Sequence, residues 1–173
     1  MPKYVKTADF LDEEILKPRN SPIKGYMMME VEKWYGVKVL HQIAILGAET
    51  SIGHGDIDIG GTLVRYNNFG CIKAWPGWED TKWGEWADGT VTVRGVEWLT
   101  WPTPQKGMYS WGRYMKVGAG EAYLPILRKP DWHQEFANIY YGSEVPGIEE
   151  YVANLKKIED KYRKLALQFG FRW

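Results

Sequence analysis

The segment Val39–Thr50, VLHQIAILGAET, constrains this chain more than any other. Leu40, Ile43, Ala44, Leu46 and Gly47 leave almost no polar face, so the helix they form has to be central and buried, with the remaining elements packed around it. That helix also carries one carboxylate, Glu49, in its last turn. The carbonyl end of a helix disfavours negative charge, and apolar surroundings disfavour it further. Glu49 is therefore expected to hold its proton to unusually high pH, as a general acid requires. In isolation, a Glu at that position would be a surface residue.

The rest of the chain reads as helices around a small β segment. Thr7 is expected to cap a short helix ending before Pro18, and Ser21-Pro22 to start a second that closes at Gly36. In that helix Ile23, Met27, Val31 and Trp34 share a face. Residues Ser51 to Tyr66 form a Gly-rich loop, and Cys71 to Ala74 a short strand. Ala87-Asp88-Gly89 has the composition of a hairpin turn, with Thr90 to Arg94 as its second strand. Helices return at about Met108–Lys116, Glu121–Arg128, Trp132–Tyr140 and Pro146–Phe169. The expectation is one α+β domain over residues 1–173: a helical lobe, a small β-hairpin lobe from about 70 to 101, and a cleft between them.

Composition limits the partners. With 22 basic and 22 acidic residues the chain is formally neutral, which argues against nucleic acid. The three His lack HExxH spacing and the single cysteine, Cys71, excludes CxxC zinc sites, so neither metal nor cofactor is expected. No apolar run is long enough to insert into a membrane, and the first residues have no apolar signal region. Ten Trp and eleven Tyr supply either a Trp-rich core or stacking surfaces for sugar rings.

The order Glu49-Thr50-Ser51-Ile52-Gly53, a variable loop, then Asn67-Asn68-Phe69-Gly70-Cys71-Ile72-Lys73 resembles the lysozyme-like superfamily of peptidoglycan-cleaving glycosidases. It looks closest to the glucosaminidase branch, whose signature is Glu-Ser/Thr-x-x-Gly followed by Asn-Asn-Phe/Leu-Gly-Ile-Lys. Ser21 to Tyr26, Trp111-Gly112-Arg113-Tyr114 and Tyr140-Tyr141-Gly142 are similar to flanking segments of such domains. Cys71 departs from the pattern, and the loop His54–Arg65 is richer in Gly and Asp than usual.

The resemblance implies a lysozyme-like fold and an endo-β-N-acetylglucosaminidase that cuts the peptidoglycan glycan strand, with Glu49 as general acid. It implies a second acid in the β lobe, for which Glu85 is the first choice and Glu79, Asp80 and Asp88 are alternatives. Asn67, Asn68, Phe69, Trp75, Trp83 and Tyr114 are the expected substrate contacts, one of the two Asn holding the turn while the other faces the cleft. A muramidase or lytic transglycosylase on the same fold fits as well. So does a non-catalytic glycan-binding or phage structural protein. The protein is expected to be monomeric and to act on N-acetylglucosamine-containing glycan, either as a phage endolysin released by a holin or as a virion-associated lysin.

Overall fold

A computed structural model describes residues 6–53, 58–80 and 86–173. Among them are eight α-helices and one antiparallel hairpin, an α+β architecture in which helix dominates. Helix α1, Thr7–Phe10, widens into a π-helical stretch over Leu11–Leu16 and ends in a 3₁₀ turn, Lys17–Arg19. Thr7 is the first helical residue rather than the cap, because Lys6 occupies the extended cap position.

Helix α2, Gly25–Tyr35, starts later than Ser21-Pro22 predicts. The Ser21 hydroxyl caps only a local turn, accepting from the Ile23 N–H at 3.2 Å. The first free N–H of α2, that of Gly25, donates instead to Asp12 Oδ1 at 2.7 Å. The cap thus comes from another helix, a contact that local composition cannot reveal. Gly25 is required there, since a Cβ would stand 2.3 Å from the Ala8 carbonyl oxygen. Ile23, Met27 and Val31 are buried as expected, but Trp34 is 45% exposed.

Helix α3 spans Val39–Thr50 and is the core element, with Leu40, Ile43, Ala44, Ile45, Leu46 and Gly47 buried. It ends because Ser51, Ile52 and Gly53 are all left-handed, with φ of 49°, 60° and 77°. Residues 51–66 are not a continuous loop: they contain helix α4, Asp58–Val64. Gly60 lets α4 lie directly on the end of α3, where a Cβ would meet the Glu49 carbonyl oxygen at 2.2 Å.

The hairpin pairs β1, Gly89–Val93, with β2, Val96–Thr100, in the register Val93↔Val96 to Gly89↔Thr100. Its turn is Arg94-Gly95, both with positive φ (51° and 77°), as a two-residue type I′ connection needs. Gly89–Val93 is therefore the first strand. Ala87-Asp88-Gly89 sits at the open end, where Asp88 Oδ1 accepts from the Thr100 hydroxyl at 2.8 Å. Residues 72–74 add a partial third rung: the Ala74 N–H donates to the Glu97 carbonyl at 2.9 Å and the Leu99 N–H to Ile72 at 3.1 Å. Cys71 cannot extend this segment, because its φ is 49°.

Helix α5, Pro104–Val117, is capped by the Thr103 hydroxyl and packs on α2. Left-handed Ala119, Gly120 and Glu121 delay the next helix, α6, to Tyr123–Leu127. Helix α7, Trp132–Ala137, widens into a π-helical turn over Asn138–Gly142. Helix α8, Ile148–Gln168, runs along α3, with Ile158 against Gly47. A single hydrophobic cluster joins residues from Phe10 to Ala166.

Candidate active site

The elements of the Glu49-to-Lys73 segment hold one another in place. The Thr50 hydroxyl lies 3.2 Å from the Leu46 carbonyl, 3.0 Å from that of Phe69 and 3.2 Å from the Gly53 N–H. It therefore ties the end of α3 to the Asn-Asn-Phe-Gly turn and to the following left-handed Gly53. A Cβ on Gly53 would stand 2.9 Å from the Ser21 hydroxyl, so the Ser21-Pro22 segment packs against the same corner.

Asn68 is fully buried. Its amide nitrogen donates to the Ile72 and Leu99 carbonyls, both at 2.9 Å, and its oxygen accepts from the Ile72 N–H at 2.8 Å. Asn67 adopts the left-handed conformation (φ 59°) and donates to the Trp101 carbonyl at 2.7 Å. Both Asn thus hold the turn against the hairpin, and neither is aimed at a cleft. Phe69 is 1% exposed and belongs to the core. Three of the expected substrate contacts are scaffold in this structure.

Two hollows lie near this corner, and Glu49 lines one of them. One, of about 300 Å³, is lined by Gly70, Cys71, Lys73, Trp75, Tyr114 and Tyr140. The other, of about 660 Å³, is lined by Glu49 itself, with Tyr141, Glu150, Tyr151, Asn154 and Lys157. Cys71, in the first, has its thiol 3.7 Å from the Glu49 carbonyl oxygen. The π-helical turn after α7 sets Tyr140 in the first hollow and Tyr141 in the second. Tyr140 donates to the Gly70 carbonyl at 2.5 Å. Gly70 admits that contact because it has no Cβ, which would stand 2.1 Å from Trp111 Cδ1.

Glu49 is half-buried. Tyr151 donates its hydroxyl to Glu49 Oε1 at 2.6 Å, and its ring stacks on Tyr141 at 4.6 Å. Burial pushes the Glu49 carboxyl up from its ordinary 4.5 to about 7, against the smaller opposing effects of the Tyr151 and Cys71 hydrogen bonds. Burial and the adjacent Glu49 charge raise the Tyr151 and Tyr140 hydroxyls well above their ordinary value. The Cys71 thiol is raised for the same two reasons, so it stays protonated and is a poor nucleophile. The site therefore presents one carboxyl poised to exchange a proton near neutral pH, ringed by phenols that remain neutral.

Comparison with family models, curated proteins and solved structures gave no match. The chemistry of the site accordingly carries the functional reading.

Of the residues expected from sequence, Glu49 lines one hollow and Trp75 and Tyr114 line the other. Tyr114 also pairs hydroxyl to hydroxyl with Tyr123 at 3.0 Å. Trp83 and the candidate second acid Glu85 lie outside the described residues. Glu79 and Asp80 form an exposed 3₁₀ turn, and exposed Asp88 serves the hairpin. Sequence reasoning missed Tyr151, Glu150, Asn154 and Lys157. Their only signal is spacing: 150, 154 and 157 recur along one polar face of α8. Among the described residues no group of three or more His, Cys, Asp or Glu is placed to hold a metal, and no helix is long and apolar enough to cross a membrane.

Proposed function

We propose that this protein is a glycoside hydrolase of lysozyme-like type that cuts the glycan strand of peptidoglycan at N-acetylglucosamine linkages, with Glu49 as the general acid. The observation that carries the reading is the Glu49 carboxyl: raised to about 7, half-buried at the end of α3, and open to a hollow. A carboxylic acid in this state supplies what cleavage of a glycosidic bond demands, a proton for the leaving oxygen near neutral pH. Because Tyr151 donates to Oε1, the proton of neutral Glu49 belongs on Oε2. Glu49 would pass it to the glycosidic oxygen as the bond to the sugar carbon breaks. Tyr141 in the same hollow, and Trp75, Tyr114 and Tyr140 in the other, offer aromatic surfaces that suit stacking against sugar rings.

Two routes complete the reaction. With a second carboxylate, Glu85 by sequence, that group removes the proton from attacking water or stabilises the positive sugar. Without one, the Glu49 carboxylate takes the proton back from the nucleophile, which in a lytic transglycosylase is the sugar's own 6-hydroxyl. In the hollow that Glu49 lines, the one other carboxylate among the described residues is Glu150 on α8. A role as a phage endolysin or virion-associated lysin belongs to the same proposal.

The test is Glu49→Gln in a cell-wall zymogram, combined with mass spectrometry of the fragments that the wild type releases. Loss of roughly 10²–10⁴-fold in lysis is expected for a general acid, with sugar binding retained. Undiminished lysis by the variant would rule Glu49 out as the acid, and glycan binding without lysis by wild type and variant alike would leave only a glycan-binding or structural role. Reducing N-acetylglucosamine ends support the glucosaminidase, whereas reducing N-acetylmuramic ends or anhydro ends replace it with a muramidase or a transglycosylase. Glu85→Gln separates the two routes: strong loss supports a second acid, and near-full activity removes it.

A further inference from the structure

A larger cavity, of about 800 Å³, opens at the other end of α3. His41 lines it and Glu49 does not; the two are eight residues apart on α3, about 12 Å along its axis. Leu124, Leu127, Trp132 and Trp173 give the cavity apolar walls.

Its charges are unequal. Lys38 pairs with Glu32 at 3.1 Å, Lys129 with Glu135 at 2.5 Å, and Arg163 with Glu159. Arg128 and Arg172 also line the cavity, and neither has a carboxylate partner among the described residues. Glu159 does not offset them. Its oxygens are taken by Arg163, by the Trp132 indole N–H at 2.9 Å and by His133 Nε2 at 2.8 Å. Although burial alone would raise the Glu159 carboxyl, these donors hold it down at about 2. Glu32 is likewise occupied, accepting from the Val39 N–H at 3.1 Å and from Lys38.

His41, in the cavity wall, also carries a buried nitrogen without a partner. His41 lies against Trp132 at 5.1 Å, and its Nδ1 is buried with no hydrogen bond among the described residues. Burial lowers the His41 imidazole to about 4, with Glu159 and Glu32 opposing it and His133 and Arg163 adding to it. It is therefore neutral at pH 7 and would become easier to protonate if a negative group entered. The first turn of α3 faces the same space, and its dipole favours negative charge.

We infer that this cavity is a binding site for a small organic anion, with its phosphate or carboxylate on Arg128 and Arg172 and its apolar body against Leu124, Leu127 and Trp132. A guanidinium fork matches either anionic group with two parallel hydrogen bonds. A neutral ligand would leave both forks unused, and a cation would be repelled. The volume lies within the range of small-molecule sites.

The experiment titrates the full chain with phenyl phosphate, benzoate and neutral benzyl alcohol, using calorimetry and the NMR signal of the His41 ring. Saturable binding of phenyl phosphate or benzoate is expected, at least about tenfold tighter than benzyl alcohol, with the His41 ring becoming protonated at higher pH. The tighter of the two anions identifies the preferred head group. Arg128→Ala with Arg172→Ala should weaken binding about tenfold or more. Both side chains are exposed, so the fold should tolerate their loss. Glu49→Gln should bind the anion unchanged, which separates this site from the proposed catalytic one. Equal binding by the double variant, equal binding of benzyl alcohol, or no saturation up to about 10 mM would overturn the inference.

Discussion

Replacing Glu49 with Gln should make the protein more stable above neutral pH and change little in acid. In the unfolded chain Glu49 ionises near 4.5; in the folded protein it does so near 7. Between these values the folded state keeps a proton that the unfolded state has lost. Stability therefore falls as pH rises through this window and levels off above about 7. Each pH unit is worth about 1.4 kcal/mol, which over this window gives about 3.5 kcal/mol as an upper bound. Glu49 is only half-buried, and solvent screening brings the expected effect to about 2 kcal/mol. Gln has nearly the same shape, can still accept the Tyr151 hydroxyl, and never ionises. For a chain of this size, about 2 kcal/mol raises Tm by about 4–8 °C. Thermal unfolding of wild type and variant from pH 4 to pH 8 provides the assay. The two should converge at pH 4 and separate progressively toward pH 8. Parallel curves would refute the raised carboxyl, and with it the basis for assigning Glu49 as the acid.

Tyr151→Phe removes a donor that holds the Glu49 carboxyl down, so the alkaline limb of the pH–rate profile should move to higher pH; an unmoved limb would mean that the hydroxyl has no effect on the acid. Gly70→Ala forces a Cβ onto buried Trp111 and should cost about 1–3 kcal/mol, seen as a lower urea midpoint with an unchanged slope. Asn68→Ala strips partners from the buried Ile72 and Leu99 backbone and should cost about 3 kcal/mol in the same assay; a cost under about 0.5 kcal/mol would show that this turn does not depend on the amide.

Sequence reasoning succeeded where local chemistry decides the outcome. The bounds of α3 and the burial around Glu49 follow from an apolar run that stops at a left-handed corner. It failed where a distant residue decides. The α2 cap is Asp12, thirteen positions before Gly25, and composition favoured Ser21 instead. The hairpin turn is Arg94-Gly95, although Arg is an unusual residue for positive φ and Asp88-Gly89 looked more suitable. Asn67, Asn68 and Phe69 read as contacts because their turn resembles the glucosaminidase signature, but the backbone of this corner uses their polar groups and their volume internally. Tyr151, which touches Glu49, lies 102 positions away and has no local signature.

The Arg94-Gly95 tip has a practical consequence. Both residues are exposed, and nothing lies within 4 Å of where a Gly95 Cβ would stand. An insertion at Gly95 therefore meets no neighbouring atom there, and closing an inserted segment of ten residues costs only about 2 kcal/mol in chain entropy. This makes the tip a natural port for grafting a targeting peptide. Once one end of the fusion was captured on a surface, the other would be held there at millimolar effective concentration, and the helical core would remain intact.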